Sequence, residues 1–402
     1  MYNPIYTASL DDAQIILAGT VVGFLLALLL PGRRVRGFAL ATFFVGATYY
    51  AFFYTPEDWA VGPFSILIGA SIAHWALLTL YVRTSQYSDS LFWSSFLMPI
   101  ALLVAFKAQS TLVIIGVSYF TFRMALSAFE IRNCKEFHLN LLEYLGFLLF
   151  PATFLAGPIN PISNHRASLD TRAISLENIG VGISRIIIGY IKYRFLANMV
   201  NQLSFTVHWD TGYVMNWGDF LASGGAYYLY VYLNFSGYTD IAIGVAGILG
   251  FRVKENFDSP LLARNAKDFW RRWHLSLTDF LKDAVFTPVS LVLARAFHGK
   301  FITLAAIIAI FCLFASLALW HGMEAGFFIF YGMQFVAFTV IEISEQTFRR
   351  HNRSAFKDYM SNPVVIWFSR VTTFVFLAFT CAFLELKTWG RITEVVSSLG
   401  GF

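Results

Sequence analysis

Charge is scarce in this sequence. Of its 402 residues, 13% are Asp, Glu, Lys or Arg, about half the roughly 25% of an ordinary soluble domain. That shortage excludes a soluble enzyme and a disordered chain. Cysteine is scarcer still. Cys134, Cys312 and Cys381 form no pair with metal or redox spacing, so a disulfide scaffold is excluded too. Cys312 and Cys381 lie in apolar runs and read as packing residues. No Lys or Arg precedes Arg33, and Asp11 and Asp12 stand before the first apolar run, which is not the pattern of a cleavable signal peptide. Gly-x-Ser-x-Gly, His-Glu-x-x-His, P-loop and Cys-x-x-Cys motifs are all missing. So is an internal repeat of the kind inverted-repeat transporters carry.

What is present is apolar. Hydrophobic residues make up 57%, aromatics 18%, and the mean hydropathy is +0.61. This is the composition of an all-α polytopic membrane protein, read here as one domain over residues 1–402. A span needs about 20 apolar residues. Candidates are Ala13–Leu30, Gly37–Phe53, Val61–Val82, Leu91–Phe106, Thr111–Phe122 and Leu141–Phe154. Later ones are Ala226–Phe235 with Tyr238–Phe251, Phe301–Leu319, Gly326–Ile343 and Val364–Leu384. Several are too short to span alone, which predicts broken or re-entrant helices. Arg33, Arg34 and Arg36 follow the first run, so the positive-inside rule puts the N-terminus outside. The net charge of +5 mostly encodes such topology.

Arg252–Lys300 is different. It holds nine basic residues against five acidic ones, with Phe269, Trp270, Trp273, Leu277 and Leu281 at helical spacing. It reads as one or more helices at the cytoplasmic face or dipping inward. Arg349–Lys357 forms a second basic, cytoplasmic loop, which discounts the sequon Asn352-Arg353-Ser354. Ser163–Asn198, mixed polar and apolar, is expected at an interface.

Eight histidines are present. His138, His165, His208, His298 and His351 sit in polar contexts and read as solvated. His74 interrupts an apolar run and fits an interhelical hydrogen bond better than a functional role. His321 ends a long apolar run, where an ionisable group is a functional-site candidate. A histidine held by the helix C-terminal dipole explains it equally well. Gly322 beside it allows a sharp helix end or close approach of a substrate. His274 lies in Asp268-Phe269-Trp270-Arg271-Arg272-Trp273-His274-Leu275. As a surface helix this string would set Arg271 and Arg272 on lipid phosphates and the tryptophans at the interface. As a site, its arginines would hold a phosphate-bearing substrate. A histidine pair in a membrane suits proton transfer to and from a hydroxyl. Attack of that hydroxyl on a thioester needs no protein nucleophile.

At these residues the chain resembles the membrane-bound O-acyltransferase family. The strongest match is Asn256-Phe257-Asp258-Ser259-Pro260, then Asp268–Leu277, then Trp320-His321-Gly322. Gly116–Phe122, Ala156-Gly157-Pro158-Ile159 and Phe235–Gly244 support it. The resemblance covers about residues 111–340. The resemblance implies a ring of about ten or more tilted transmembrane helices around a central funnel, with re-entrant or interfacial helices. It implies His321 as catalytic base and His274 as the accompanying histidine. It gives donor-binding roles to Trp320, Asn256, Asp258, Trp270, Arg271, Arg272 and Trp273. It implies no metal and no tightly bound cofactor. The donor would be the phosphopantetheine thioester of an acyl carrier protein, or acetyl-CoA, attracted by Arg271, Arg272, Lys254 and Lys267. The acceptor would be an extracytoplasmic envelope polymer or a relay protein. Membrane lipids are implied as partners and nucleic acid is not. The place is a bacterial cytoplasmic membrane.

Within the family it is similar to the bacterial branch, which holds a teichoic acid D-alanyl transfer type and an alginate O-acetyltransferase type. Phe235–Asp240 and Phe251–Asn256 look alginate-like. After His274, the Gly-Gly-Asn-Arg turn usual in that type is absent. The apolar stretch broken only by Pro288 looks like the D-alanyl type, where it receives the carrier protein. Pro161–His165 departs from both and would make the acceptor unusual if that loop meets it. Two rivals stay open: a transporter using His74 and His321 as a proton relay, and a scaffold whose basic loop binds anionic lipid.

Overall fold

The computed structural model describes residues 62–84, 88–108, 116–134, 140–154, 156–171, 175–205 and 215–399. The first two candidate spans, Arg33–Arg36, the orientation read from them, and His138 and His208 lie outside these residues. Among the described residues there is no strand. A single antiparallel bridge, Phe257 with Trp273, is the nearest thing to one. Among the described residues, five helices are long and apolar enough to cross a membrane: Ile66–Arg83, Asp89–Ala108, Ile302–His321, Ala325–His351 and Pro363–Leu386.

The chain divides into two compact units. One holds Thr7–Gly189 and Tyr238–Glu255. Its described helices are α1 (Gly62–Arg83), α2 (Asp89–Ala108), α3 (Val117–Asn133), α4 (Leu141–Leu148), α5 (Ile162–Thr171) and α6 (Leu176–Tyr190). The expected run Leu141–Phe154 breaks into α4 and the single turn Pro151–Phe154, because Pro151 has no N–H to continue the ladder. Arg123 of α3 fills the gap. Its guanidinium is 1% exposed and donates to the Phe147 and Leu148 carbonyls at 2.9 and 2.6 Å and to the Thr153 hydroxyl at 3.1 Å. A cation thus satisfies the terminal carbonyls of α4 and complements its dipole.

His74 of α1 is fully buried. One ring nitrogen meets the Tyr144 hydroxyl and the other meets the Ser95 carbonyl at 2.8 Å. Both nitrogens are therefore engaged between three helices, the structural role expected of it. His165 departs from expectation. It is 4% exposed on α5, with its ring packed on Phe147, Phe150 and Phe251. The polar string around it misled, because the helical period turns that one face inward. The N-terminus of α5 is capped by Glu130, whose carboxylate accepts the Ile162 N–H at 2.7 Å and the Ser163 hydroxyl at 2.5 Å. Arg185 of α6 donates to Asp240 at 3.0 Å and, through both terminal nitrogens, to Glu255 at 2.6 and 2.5 Å. Helix α6 also exposes apolar side chains, Leu176, Val181 and Ile187 among them, as a lipid-facing helix does.

The other unit holds Tyr190–Gly237 and Asn256–Phe402. Helix α7 (Trp217–Ile248) starts in it and ends in the first unit. Two separate segments were expected there. The helix instead runs straight through Ser236-Gly237, since a glycine in a packed helix costs only about 1 kcal/mol. Then come α8 (Ala266–Trp270), α9 (Leu275–Leu281), α10 (Thr287–Ala296), α11 (Ile302–His321), α12 (Ala325–His351), α13 (Arg353–Ser361), α14 (Pro363–Leu386) and α15 (Trp389–Leu399).

Helix α12 packs against both α11 and α14. The turn between α11 and α12 is sharp because two glycines permit close approach. A Cβ on Gly322 would lie 2.9 Å from the Phe327 ring, and one on Gly326 would lie 2.1 Å from the Phe383 carbonyl oxygen. Gly326 also donates its N–H to the Lys387 carbonyl at 2.7 Å, fixing the start of α12 to the end of α14.

Candidate functional site

The strongest sequence signal, Asn256–Leu277, folds into a re-entrant hairpin inside the second unit. Its first arm is Asn256-Phe257-Asp258. Its second is α8, a tight turn at Arg271–His274, and α9. Three cross-links hold the arms. The Asp258 N–H reaches the Arg272 carbonyl at 3.0 Å, and the Leu275 N–H reaches the Asn256 carbonyl at 2.9 Å. Asn256, fully buried, accepts the Ser276 hydroxyl on its Oδ1 at 2.6 Å. Asn256 thus braces the turn from inside.

The amphipathic stretch, read as one or more helices, forms two that break at His274, whose φ of 46° is left-handed. That conformation is costly for a residue with a Cβ, about 1–2 kcal/mol. It turns the His274 side chain off the face that the preceding tryptophans use.

The hairpin plunges along α12 rather than lying flat. Lys267 forms ion pairs with Glu342 and with Glu345, the latter at 2.8 Å. Trp270 donates its indole N–H to Gln334 at 3.2 Å. Between Glu345 and Gln334 the helix descends about 16 Å at 1.5 Å per residue. Further on, His274 lies 6.5 Å from the Trp320 ring, centroid to centroid. The hairpin is therefore packed into the helix bundle along α12.

The tryptophans do not form an interfacial belt. Trp270 is buried against Phe314 and Tyr331. Trp273 sits among Tyr228, Tyr232, Phe257 and Phe269. Aromatic packing of this kind outweighs interfacial solvation once the hairpin is inside the bundle. The arginine pair also splits. Arg272 is tied to Asp268 at 3.0 Å and to the Asp258 carbonyl at 3.1 Å, so it braces the hairpin. Arg271 is exposed. The Asp258 side chain is largely exposed, at 70%.

At the bottom of the hairpin the two singled-out histidines converge, although they are distant in sequence. His274 is 4% exposed and edge-on to Phe235, with centroids 4.7 Å apart. His321, the last residue of α11, is partly exposed. Its ring lies 4.3 Å from Trp320 and is stacked on Phe327 and Tyr331, each at 5.5 Å and 24°. Gly322 serves the sharp helix end, since Phe327 and Glu324 fill the space beside it.

Gln334 was not singled out from the sequence. It is fully buried, accepts from Trp270, and donates to Thr380 of α14 at 3.1 Å. It joins the hairpin to two long helices. The signal for it was a lone amide in the apolar run Gly326–Ile343. Among the described residues no cluster of three or more His, Cys, Asp or Glu could hold a metal.

The family described as MBOAT, membrane-bound O-acyltransferase, matches residues 71–386, a wider stretch than the motifs at 111–340. A teichoic acid D-alanyltransferase of Streptococcus thermophilus is 30% identical over 234 residues, 56% of this chain and 55% of that protein. One of Bacillus subtilis is 30% identical over 279 residues, 66% of this chain and 67% of that protein. A probable alginate O-acetylase of Pseudomonas syringae pv. tomato is 28% identical over 228 residues, 56% of this chain and 42% of that protein. The matches thus span about two-fifths to two-thirds of these relatives' length. With the match to residues 71–386 and five helices of spanning length and composition, this chain is a multi-pass membrane protein and belongs to the membrane-bound O-acyltransferase family.

Proposed function

We propose that this protein is an O-acyltransferase that moves an acyl group, D-alanyl by preference, from a cytoplasmic thioester to a hydroxyl on an extracytoplasmic envelope polymer or relay protein. The observation that carries this reading is the meeting of His274 and His321 beside Trp320, with only His321 accessible.

In this reading His321 is the general base. Its imidazole takes the proton from the acceptor hydroxyl as the oxygen attacks the thioester carbonyl. A C–O bond forms, the C–S bond breaks, and the proton passes from His321 to the leaving thiolate. Imidazole titrates near neutrality, so both transfers are available to it. His274, buried, packs beside the Trp320 ring, which in turn lies against His321. Phe327 and Tyr331 hold the His321 ring from the other side, which limits the geometries the base can take.

The donor is proposed to be the phosphopantetheine thioester of an acyl carrier protein. Helix α10 has no buried residue and exposes Leu291 and Val292, an apolar surface suited to receiving a protein. Exposed Arg271 would attract the phosphate. Acetyl transfer from acetyl-CoA to an exopolysaccharide is the second reading, favoured by the likeness to the alginate O-acetylases. Cells lacking this protein, with and without the wild-type gene restored, separate the two. Mild base releases ester-linked acyl groups for mass spectrometry. D-alanine restored by the gene supports the first reading, acetate the second, and no change in either ester refutes both.

A further inference from the structure

The basic end of the second unit holds a cavity that the transfer reaction does not use. It lies between α12, α13 and α14, far along α12 from His321, and has a volume of about 390 Å³. That is within the size of small-molecule sites, about 300–1,000 Å³. Its walls are apolar, with Val340, Phe348, Phe356, Met360 and Ile366 among them.

Among the described residues, Arg264 is the one cation of its lining, and further basic residues stand on the helices around it. The one polar contact described for the Arg264 guanidinium is the Met360 carbonyl at 3.3 Å. Arg349 stacks over the Phe356 ring at 4.6 Å. Glu345 also lines the cavity; Arg349 and Lys267, which Glu342 shares, flank it at 3.6 and 2.8 Å and balance these two carboxylates, which leaves Arg264 as the uncompensated charge of the lining. Arg353, Lys357 and Asp358 are exposed on α13, and Arg350 is exposed at the end of α12, so this end stays net positive.

The same end carries exposed aromatics, Tyr359, Trp367 and Phe368, the residues that settle at a membrane–water boundary. By the positive-inside rule this basic end faces the cytoplasm, where the leaflet is anionic. We infer that the cavity binds one anionic phospholipid of that leaflet, its phosphate on Arg264 and an acyl chain between α12 and α14. The charge complementarity selects an anionic lipid over a zwitterionic one, and the apolar walls select a lipid over a free phosphate.

The test is native mass spectrometry of the purified, delipidated protein titrated with phosphatidylglycerol, phosphatidylcholine or inorganic phosphate. One phosphatidylglycerol is expected to be retained in preference to phosphatidylcholine, with no retention of phosphate alone. Arg264→Gln, which removes one charge, is expected to weaken phosphatidylglycerol retention about fivefold. Ile366→Trp, which leaves the charges in place and fills the cavity, is expected to abolish it. Equal retention of both lipids, or wild-type retention by both variants, overturns the inference. Should Arg264→Gln fail to fold, the lipid preference of the wild type and the Ile366→Trp result decide it.

Discussion

Replacing Asn256 with alanine removes the acceptor that holds the His274 turn. The Oδ1 atom takes the Ser276 hydroxyl at 2.6 Å and lies 3.4 Å from the Ser276 N–H, all of it buried. A buried donor that loses its acceptor costs about 1–3 kcal/mol. The N–H contact is long, so the hydroxyl dominates, and the two together cost about 2–4 kcal/mol. The His274 backbone is held left-handed. Without the brace it gains about 1–2 kcal/mol by relaxing, which moves the imidazole away from Trp320. Ser276→Ala removes the donor along with the bond and strands only a lone pair, so it costs about 1 kcal/mol. The double variant should therefore lose little more than Asn256→Ala alone. Chemical unfolding in one detergent, read beside acyl turnover, measures all three. Strict additivity, or Asn256→Ala as stable and active as wild type, refutes the bracing role.

Other perturbations have equally definite outcomes. Gly322→Ala drives a methyl group toward the Phe327 ring; since Phe327 is buried and stacked on His321, turnover should fall at least tenfold while the protein still inserts, as a membrane-fraction immunoblot would show. Gln334→Leu strands the Trp270 indole N–H and is expected to cost about 2 kcal/mol in unfolding, whereas Gln334→Glu, which keeps an acceptor, should restore part of it. Lys267→Met leaves Glu342 and Glu345 crowded beside the hairpin and should lower stability by about 2 kcal/mol at neutral pH. That loss should shrink as the pH falls through the carboxylate range, and unfolding measured across pH would show it.

Much of this architecture was readable from one chain. Among the described residues, Val61–Val82, Leu91–Phe106, Phe301–Leu319 and Val364–Leu384 became helices at nearly their expected places, because a membrane span must satisfy its backbone internally; the helix expected at Thr111–Phe122 instead covers Val117–Asn133, and Gly326–Ile343 extends to His351. His321 stood out because an ionisable group is costly in an apolar run, and Asn256–Leu277 stood out through its likeness to the family and its dense run of aromatic and basic residues. Partnership was not readable. Nothing in the string tells that Arg272 braces Asp258 and Asp268 while Arg271 stays exposed, since the two are neighbours with the same chemistry. His165 looked solvated because its sequence neighbours are polar, while its burial comes from Phe147, Phe150 and Phe251, all outside its own helix. Gln334 was passed over because an amide carries no charge to announce it.

The central claim is that His321 is the base. The direct measurement is base-released acyl ester in envelope preparations from cells carrying only His321→Ala, beside wild type at matched membrane protein levels. The account predicts ester reduced by about two or more orders of magnitude with the protein folded and inserted. Ester at the wild-type level in that variant would contradict it.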